Sequence, residues 1–227
     1  MNMLRYSSIL LLIVLNCCFF DAGAQIKNGG GVTDIDGNTY KTVTIGGREW
    51  MAENLKTTKL NDREEIPNIT DNAKWRALKT PAYCWYDNDI SKKDSHGALY
   101  NWHTVSTKKI CPKGWHVPSD NEWSQLVEFL GGDKVAGGKM KEIGTEYWLT
   151  PNEGATNESG FSGRAYGTRG FRTGPFLQLG YYADWWTSTE YLGGTAWQRR
   201  LHFNNTTVTR NASDKRVDYA IRCIKDK

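Results

Sequence analysis

The sequence predicts an α+β fold, two short helices with a small, mostly antiparallel sheet and long irregular loops. Three observations carry that expectation. One helix, opening at Ser119, has its start, apolar face and stop all legible. The last fifty or so residues alternate as short strands. Ten Trp and eleven Tyr stand beside 23 Gly, a balance that suits a loop-rich fold packed largely by rings.

The chain opens with Arg5, a short apolar run from Ile9 to Leu15, and the small residues Ala22-Gly23-Ala24. Residues 1–24 therefore read as a signal peptide cleaved after Ala24, which places the protein outside the cytoplasm as a secreted or cell-envelope protein. A lipoprotein would need a small residue just before Cys17 or Cys18, where Asn16 and Cys17 stand. The apolar run is too short to span a bilayer, and no later run is longer, so no transmembrane span is expected. Residues 25–34, polar and carrying Gly29-Gly30-Gly31, read as a flexible lead. Residues 35–227 then form one domain, long enough for an ample core.

Within that domain, Thr39 to Ile45 alternates as a strand between the Asp36-Gly37 and Gly46-Gly47 turns. Residues 56–80 are charged and poor in apolar side chains, which suggests a long surface excursion. Tyr83 to Tyr86 is a short aromatic strand, and Ala98 to Val105 reads as a helix with Leu99, Trp102 and His103 on one side. Ser119 can cap the next helix, with Glu122 three residues on completing a capping box. Trp123, Leu126, Val127 and Leu130 follow at helical spacing before Gly131-Gly132. Residues 131–176 read as irregular, with Phe161 and Phe171 as anchors. Trp185 to Thr189 is a strand, Ala196–Phe203 and Thr206–Asn211 a hairpin around Asn204-Asn205, and Val217 to Ile224 the last strand.

Cleavage removes Cys17 and Cys18 and leaves Cys84, Cys111 and Cys223. Three thiols in an oxidising compartment permit one disulfide. Three pairings are open, and sequence alone does not choose among them. The pairing carried forward is Cys111–Cys223, whose closure of a hundred-odd residues is worth about 4–5 kcal/mol in loop-entropy models. The net charge of +4 is mild and comes without a Lys/Arg block, which argues against nucleic acid as a partner.

Six ordered stretches resemble one family. They are Thr42 to Leu55, Gly97 to Trp102, Cys111 to Trp123 (Cys-Pro-Lys-Gly-Trp-His-Val-Pro-Ser-Asp-Asn-Glu-Trp), Asn157 to Ser162, Trp185 to Glu190, and Ile221 to Lys225. Together they are similar to the Fibrobacter succinogenes major paralogous domain, a secreted module common in Bacteroidetes, from about residue 35 to 226. The resemblance implies a C-type-lectin-like fold, close to the formylglycine-generating-enzyme branch, and supplies no mechanism. That branch's enzymes use a cysteine pair with copper. The matching stretch here, Gly193 to His202, holds no cysteine, and Gln198 or Arg199 cannot replace a thiolate.

His96, His103, His116 and His202 show no metal-ligand spacing, and no nucleophile elbow or phosphate loop is present. The Glu-Pro-Asn and Trp-Asn-Asp elements of Ca²⁺-dependent lectins are missing too. Tyr86-Asp87-Asn88-Asp89 offers oxygen ligands but reads as a solvated turn. No cofactor, metal or catalytic activity is expected.

The hairpin remains. If Leu201, Phe203 and Val208 point inward, then Gln198, Arg200 and His202, with Thr207, Thr209 and Asn211, face out by the two-residue period. Trp197 and Arg199 then share the inner register. Glu190 and Tyr191 adjoin this set. The sequence thus predicts a secreted, non-enzymatic module that binds a glycan or protein at the cell surface through this face. The alternative is a structural or adhesive subunit of the cell envelope with a fixed protein partner.

Overall fold

The computed structural model describes residues 26–170, 172 and 174–227. The expected signal peptide, the first residue of the lead and Phe171 lie outside them. The chain enters through β1 (Lys27–Asn28) and β2 (Val32–Thr33), then β3 (Thr39–Tyr40), β4 (Thr42–Ile45) and β5 (Arg48–Met51). After α1 (Asn72–Ala77) come β6 (Tyr83–Cys84), α2 (Lys93–His96), β7 (Leu99–Asn101), α3 (Trp102–Ser106) and β8 (Trp115–His116). The helices α4 (Asp120–Phe129) and α5 (Asp133–Met140) precede β9 (Tyr166–Arg169) and β10 (Phe176–Leu179). The long strands β11 (Tyr182–Glu190), β12 (Thr195–His202) and β13 (Val208–Asp214) are followed by β14 (Asp218–Tyr219) and β15 (Ile224–Lys225).

The strands form two five-stranded sheets, β1-β4-β5-β15-β8 and β10-β9-β14-β7-β6, the three-stranded β11-β12-β13 and the small β2-β3 pair. All these pairings are antiparallel. The protein is therefore α+β, as the sequence predicts, but richer in strands, and five helices rather than two occur among the described residues.

The capped helix is as read. Ser119 Oγ accepts from Glu122 N at 3.2 Å, and the Glu122 carboxylate accepts from Ser119 N at 2.8 Å, closing the capping box. Trp123, Leu126, Val127 and Leu130 are all buried. The Trp123 ring meets Trp50 at 5.3 Å, Phe161 at 5.6 Å and Trp185 at 5.9 Å, so β5, the irregular segment and β11 converge on α4. Such ring pairs contribute about 0.5–1.5 kcal/mol each beyond their buried area.

Several expectations are corrected. The lead is paired: Lys27 and Asn28 register with Thr44 and Val43, which gives β4 an outer neighbour. The 56–80 segment is anchored, because Leu60, Ile66 and Trp75 are buried. Trp75 lies on α1, and the buried Arg169 guanidinium sits 4.6 Å from its ring while donating to Ile69 O and Thr70 O at 2.6 and 2.8 Å. The expected helix from Ala98 begins as strand β7, since Leu99 to Asn101 pairs with both β6 and β14. The helix starts only where Asn101 caps it through Thr104 N at 3.1 Å. The 131–176 segment opens with α5, whose polar, glycine-rich sequence gives no amphipathic signal. Its glycines are needed for contact: a Cβ on Gly137 would lie 2.6 Å from Thr206 O. The single last strand expected over 217–224 is two short ones, β14 and β15, in different sheets.

Cys111 and Cys223 form a disulfide across 112 positions, and Cys84 is a buried free thiol. Beside the bridge, His116 Nδ1 lies 2.5 Å from Asp226 Oδ1 and its Nε2 lies 3.0 Å from Glu122 Oε1, tying β8 and the chain end to the capping box. Replacing both Cys111 and Cys223 with Ser should lower stability in urea by about 4 kcal/mol. A loss under about 1 kcal/mol would show that the unfolded chain does not feel this closure.

Candidate functional site

The three-stranded sheet carries most of the residues singled out from sequence. Its register sets Tyr182 opposite His202, Asp184 opposite Arg200 with Thr209 beyond, and Trp186 opposite Gln198 with Asn211 beyond. Arg200, His202, Thr209 and Asn211 therefore do share one face, and half-buried Thr207 lies just before β13.

The face is open at its Tyr182 end and closed at the other. Trp186 is fully buried and meets Tyr219 at 4.7 Å, and Gln198 is enclosed beside it with only 1% exposure. This corrects the outward placement of Gln198, whose Oε1 has no described partner. Strand parity was right; a second layer covers that part of the face.

At the open end, Arg200 is held rather than free. It donates to both oxygens of Asp184, at 2.8 and 3.2 Å, while Tyr182 packs 4.2 Å from its guanidinium. The Asp184 side chain is wholly buried, and burial raises its pKa despite the Arg200 charge. His202 stacks edge-on against Tyr182 at 5.2 Å and bonds Thr209 Oγ1 at 3.1 Å. Burial, then the Arg200 and Lys141 charges, lower its pKa and favour the neutral ring.

Several neighbours were not found from sequence. Tyr181 is exposed and its ring lies 5.3 Å from Phe203; Leu149, Leu177 and Leu179 are exposed as well. The turn before β11 brings them together: Tyr181 N donates to Gln178 O and Leu149 N to Gly180 O, each at 3.0 Å. Gln178 Oε1 in turn lies 3.4 Å from Arg200 Nη2. The Tyr181-Tyr182 pair was a legible signal; the leucines were not, because Leu149 comes from a loop far from Leu177 and Leu179 on β10.

Glu190 and Tyr191 lie elsewhere. Glu190 is ion-paired with Lys215 and lines a groove of about 610 Å³ with Trp102, Val105, Ile110 and Val117. Tyr191 packs on Trp197 at 4.3 Å, and Arg210 covers the same indole at 3.4 Å. Trp197 is only half-buried, whereas Arg199 is buried and donates to Asp120 Oδ1 at 2.7 Å and Ser124 Oγ at 2.8 Å.

The hairpin turn is fixed from beneath by Lys141. Its buried ammonium donates to the carbonyls of Glu153, His202 and Asn205 at 2.6, 2.9 and 2.9 Å. Burial lowers its pKa from 10.5 to about 8. Among the described residues, no group of three His, Cys, Asp or Glu is placed to hold a metal.

The model of the Fibrobacter succinogenes major domain family matches residues 43–225. No curated protein and no solved structure matches the chain.

Two outcomes are expected. Arg200→Ala leaves the Asp184 carboxylate buried and unpaired, so denaturant melts should show a loss of about 3–5 kcal/mol; adding Asp184→Asn should recover part of it. An Arg200→Ala protein as stable as wild type would place Arg200 among the dispensable surface charges. For Lys141, the folded pKa lies below the unfolded one, so the unfolded state binds more protons between about pH 8 and 10.5. Wild type should therefore gain stability relative to Lys141→Met as pH rises through that window. A flat difference would contradict a buried, charged Lys141.

Proposed function

The chain belongs to the Fibrobacter succinogenes major domain family, and on that premise we propose that it is an exported, surface-exposed binding module without catalytic activity. Its ligand, a glycan or a protein, is bound at the open end of the three-stranded sheet. The observation that carries this reading is the packing of Tyr182 between His202 and the clamped Arg200, with Tyr181 next to Tyr182 and packed on Phe203. Rings held by neighbouring rings lose little conformational entropy on binding, and a hydroxyl or imidazole at their edge supplies orientation. The surface is rigid because β12 is bonded on both sides and its turn is tied to Lys141. The C-type-lectin-like fold and export by the N-terminal segment belong to the same proposal.

The binding residues are Tyr181, Tyr182 and His202, with Thr207, Thr209 and Asn211 along the rim. Arg200 acts through the structure by holding Asp184 and Tyr182, a different role from the direct contact expected of it. The alternative, a cell-envelope subunit with a fixed protein partner, is favoured by the exposed Leu149, Leu177 and Leu179. Clustered exposed aliphatic side chains mark protein contacts more often than sugar contacts.

A glycan array run beside pull-downs from bacterial and host surfaces separates these readings. The joint variant Tyr181→Ala/His202→Ala should weaken the captured ligand at least about tenfold, near 1.4 kcal/mol, with melting little changed. Unaltered binding by that variant would move the site off this face. Retention of one stoichiometric envelope protein, with no glycan signal, would select the subunit reading.

A further inference from the structure

Beside the candidate face, one long strand edge is left open. Of the strands that end a sheet, β1, β2, β3, β6 and β8 have two residues each and β10 has four. β11 has nine, but a register shift breaks it after Trp186. Its amides at Trp186 and Ser188 also donate across that edge, to Ala220 O and Pro118 O at 3.2 and 2.9 Å. β13 differs. Its seven residues, Val-Thr-Arg-Asn-Ala-Ser-Asp, pair with β12 without a break and include neither Pro nor Lys. Short length, bulges, prolines and lysines are what keep a strand edge from pairing with another chain.

The ladder fixes which backbone groups of β13 face away from β12. Phe203 N donates to Tyr181 O and Lys215 N to Gly194 O, at 3.0 and 2.9 Å. Antiparallel pairs alternate between bonded and non-bonded. Counting by twos along the register from Lys215, Ser213, Asn211 and Thr209 are the residues bonded to β12. Val208, Arg210, Ala212 and Asp214 therefore aim their N–H and C=O groups outward. The chain closes this edge only near its ends, where Gly137 N donates to Thr206 O at 2.9 Å and Val217 N to Asp214 O at 3.0 Å. Among the described residues, no backbone bond outside the ladder reaches Arg210 or Ala212.

We propose that β13 is a dimer edge, on which a second copy of this chain adds its own β13, antiparallel, about a twofold axis at Ala212. Charge selects both the occupant and the register. A twofold at Arg210 or at Asp214 sets like charges opposite one another. At Ala212 it sets each Arg210 opposite the partner's Asp214, and the small Ala212 side chain opposite its twin. Unlike charges directly across a ladder favour pairing, and like charges oppose it. Arg210 already holds Asp120 and Asp214 holds Arg216, at 2.8 and 2.7 Å, which fixes both side chains along the edge. The Ala212 pair exchanges both main-chain bonds, and Asp214 N donates to the partner's Arg210 O. One patch thus meets itself, as a closed twofold interface requires.

The axis stands perpendicular to the sheet, so two three-stranded sheets become one, and both copies turn their Tyr182 and His202 faces to the same side. A surface ligand is then held at two points. That use rests on the proposed binding face. The dimer rests on the edge alone, and its mass is measured without any ligand.

Sedimentation equilibrium of the full exported chain, from about 10 μM to about 1 mM, tests the pairing. The expected mass rises with concentration toward twice that of one chain. Ala212→Pro removes an outward donor and leaves the bonds to β12 in place, so it should weaken association at least about tenfold with melting little changed. Ala212→Lys and Ala212→Glu each set like charges at the axis and should stay monomeric alone, while an equal mixture of the two variants should dimerise. A wild-type chain that is monomeric throughout overturns the proposal. So does a dimer that Ala212→Pro leaves intact, or a mixture of the two charged variants that stays monomeric.

Discussion

The last strand is the constraint on which the rest of this fold depends. Within five residues it joins a five-stranded sheet, the disulfide and a buried polar network. Ile224 pairs with both Trp50 and His116, so β15 joins the early β4-β5 hairpin to the segment that opens α4. Cys223 carries the bridge to Cys111, and its carbonyl accepts from Met51 N at 3.0 Å. Ile221 O accepts from Leu55 N at 2.9 Å, and Arg222 reaches Asn54, Phe161 and Ser162. Segments far apart in sequence thus meet at the chain end.

A second theme follows from the scarcity of regular structure. A loop-rich domain must satisfy many buried carbonyls that no helix or ladder bonds. Here three buried cations serve. Lys141 gathers carbonyls from the 153 loop and the hairpin turn, Arg169 from the 69–72 segment, and Arg222 from the 161–162 segment. Each ties a nominal loop to the core with directional bonds. In a low-dielectric interior such bonds are strong when complete and unfavourable when broken, so they favour one arrangement of the loops over its neighbours. The proposed binding face inherits its rigidity from the first of these clamps.

Much of this frame was legible in the sequence. The Ser119–Glu122 capping box, the buried stripe of α4 and the hairpin around Asn204-Asn205 follow from local rules, and the structure has each of them. Local rules failed where packing across the chain decided the outcome. Trp75 and Leu60 sit in a charged segment, yet are buried because Arg169 and the sheet bring that segment in. α5 forms around glycines because its backbone must touch Thr206, a contact invisible to periodicity. At the candidate site, strand parity placed Arg200, His202, Thr209 and Asn211 on one face. Parity could not show that Trp186 and Tyr219 seal the Gln198 end, or that Asp184 lies beneath Arg200. It also could not group Glu190 and Tyr191 correctly, since they lie at the far end of β11, past the register shift after Trp186.

The fold thus presents a three-stranded sheet bonded on both sides of β12, and the chain end holds the frame beneath it. Native-state hydrogen exchange tests that dependence most directly. The amides of Met51 and Leu55 donate to carbonyls of Cys223 and Ile221. If the last strand is integral to the fold, they exchange only through global unfolding, with a protection free energy equal to the stability measured in denaturant. Exchange at a clearly lower free energy, by local release of the chain end while the Trp123 core stays protected, would contradict the account.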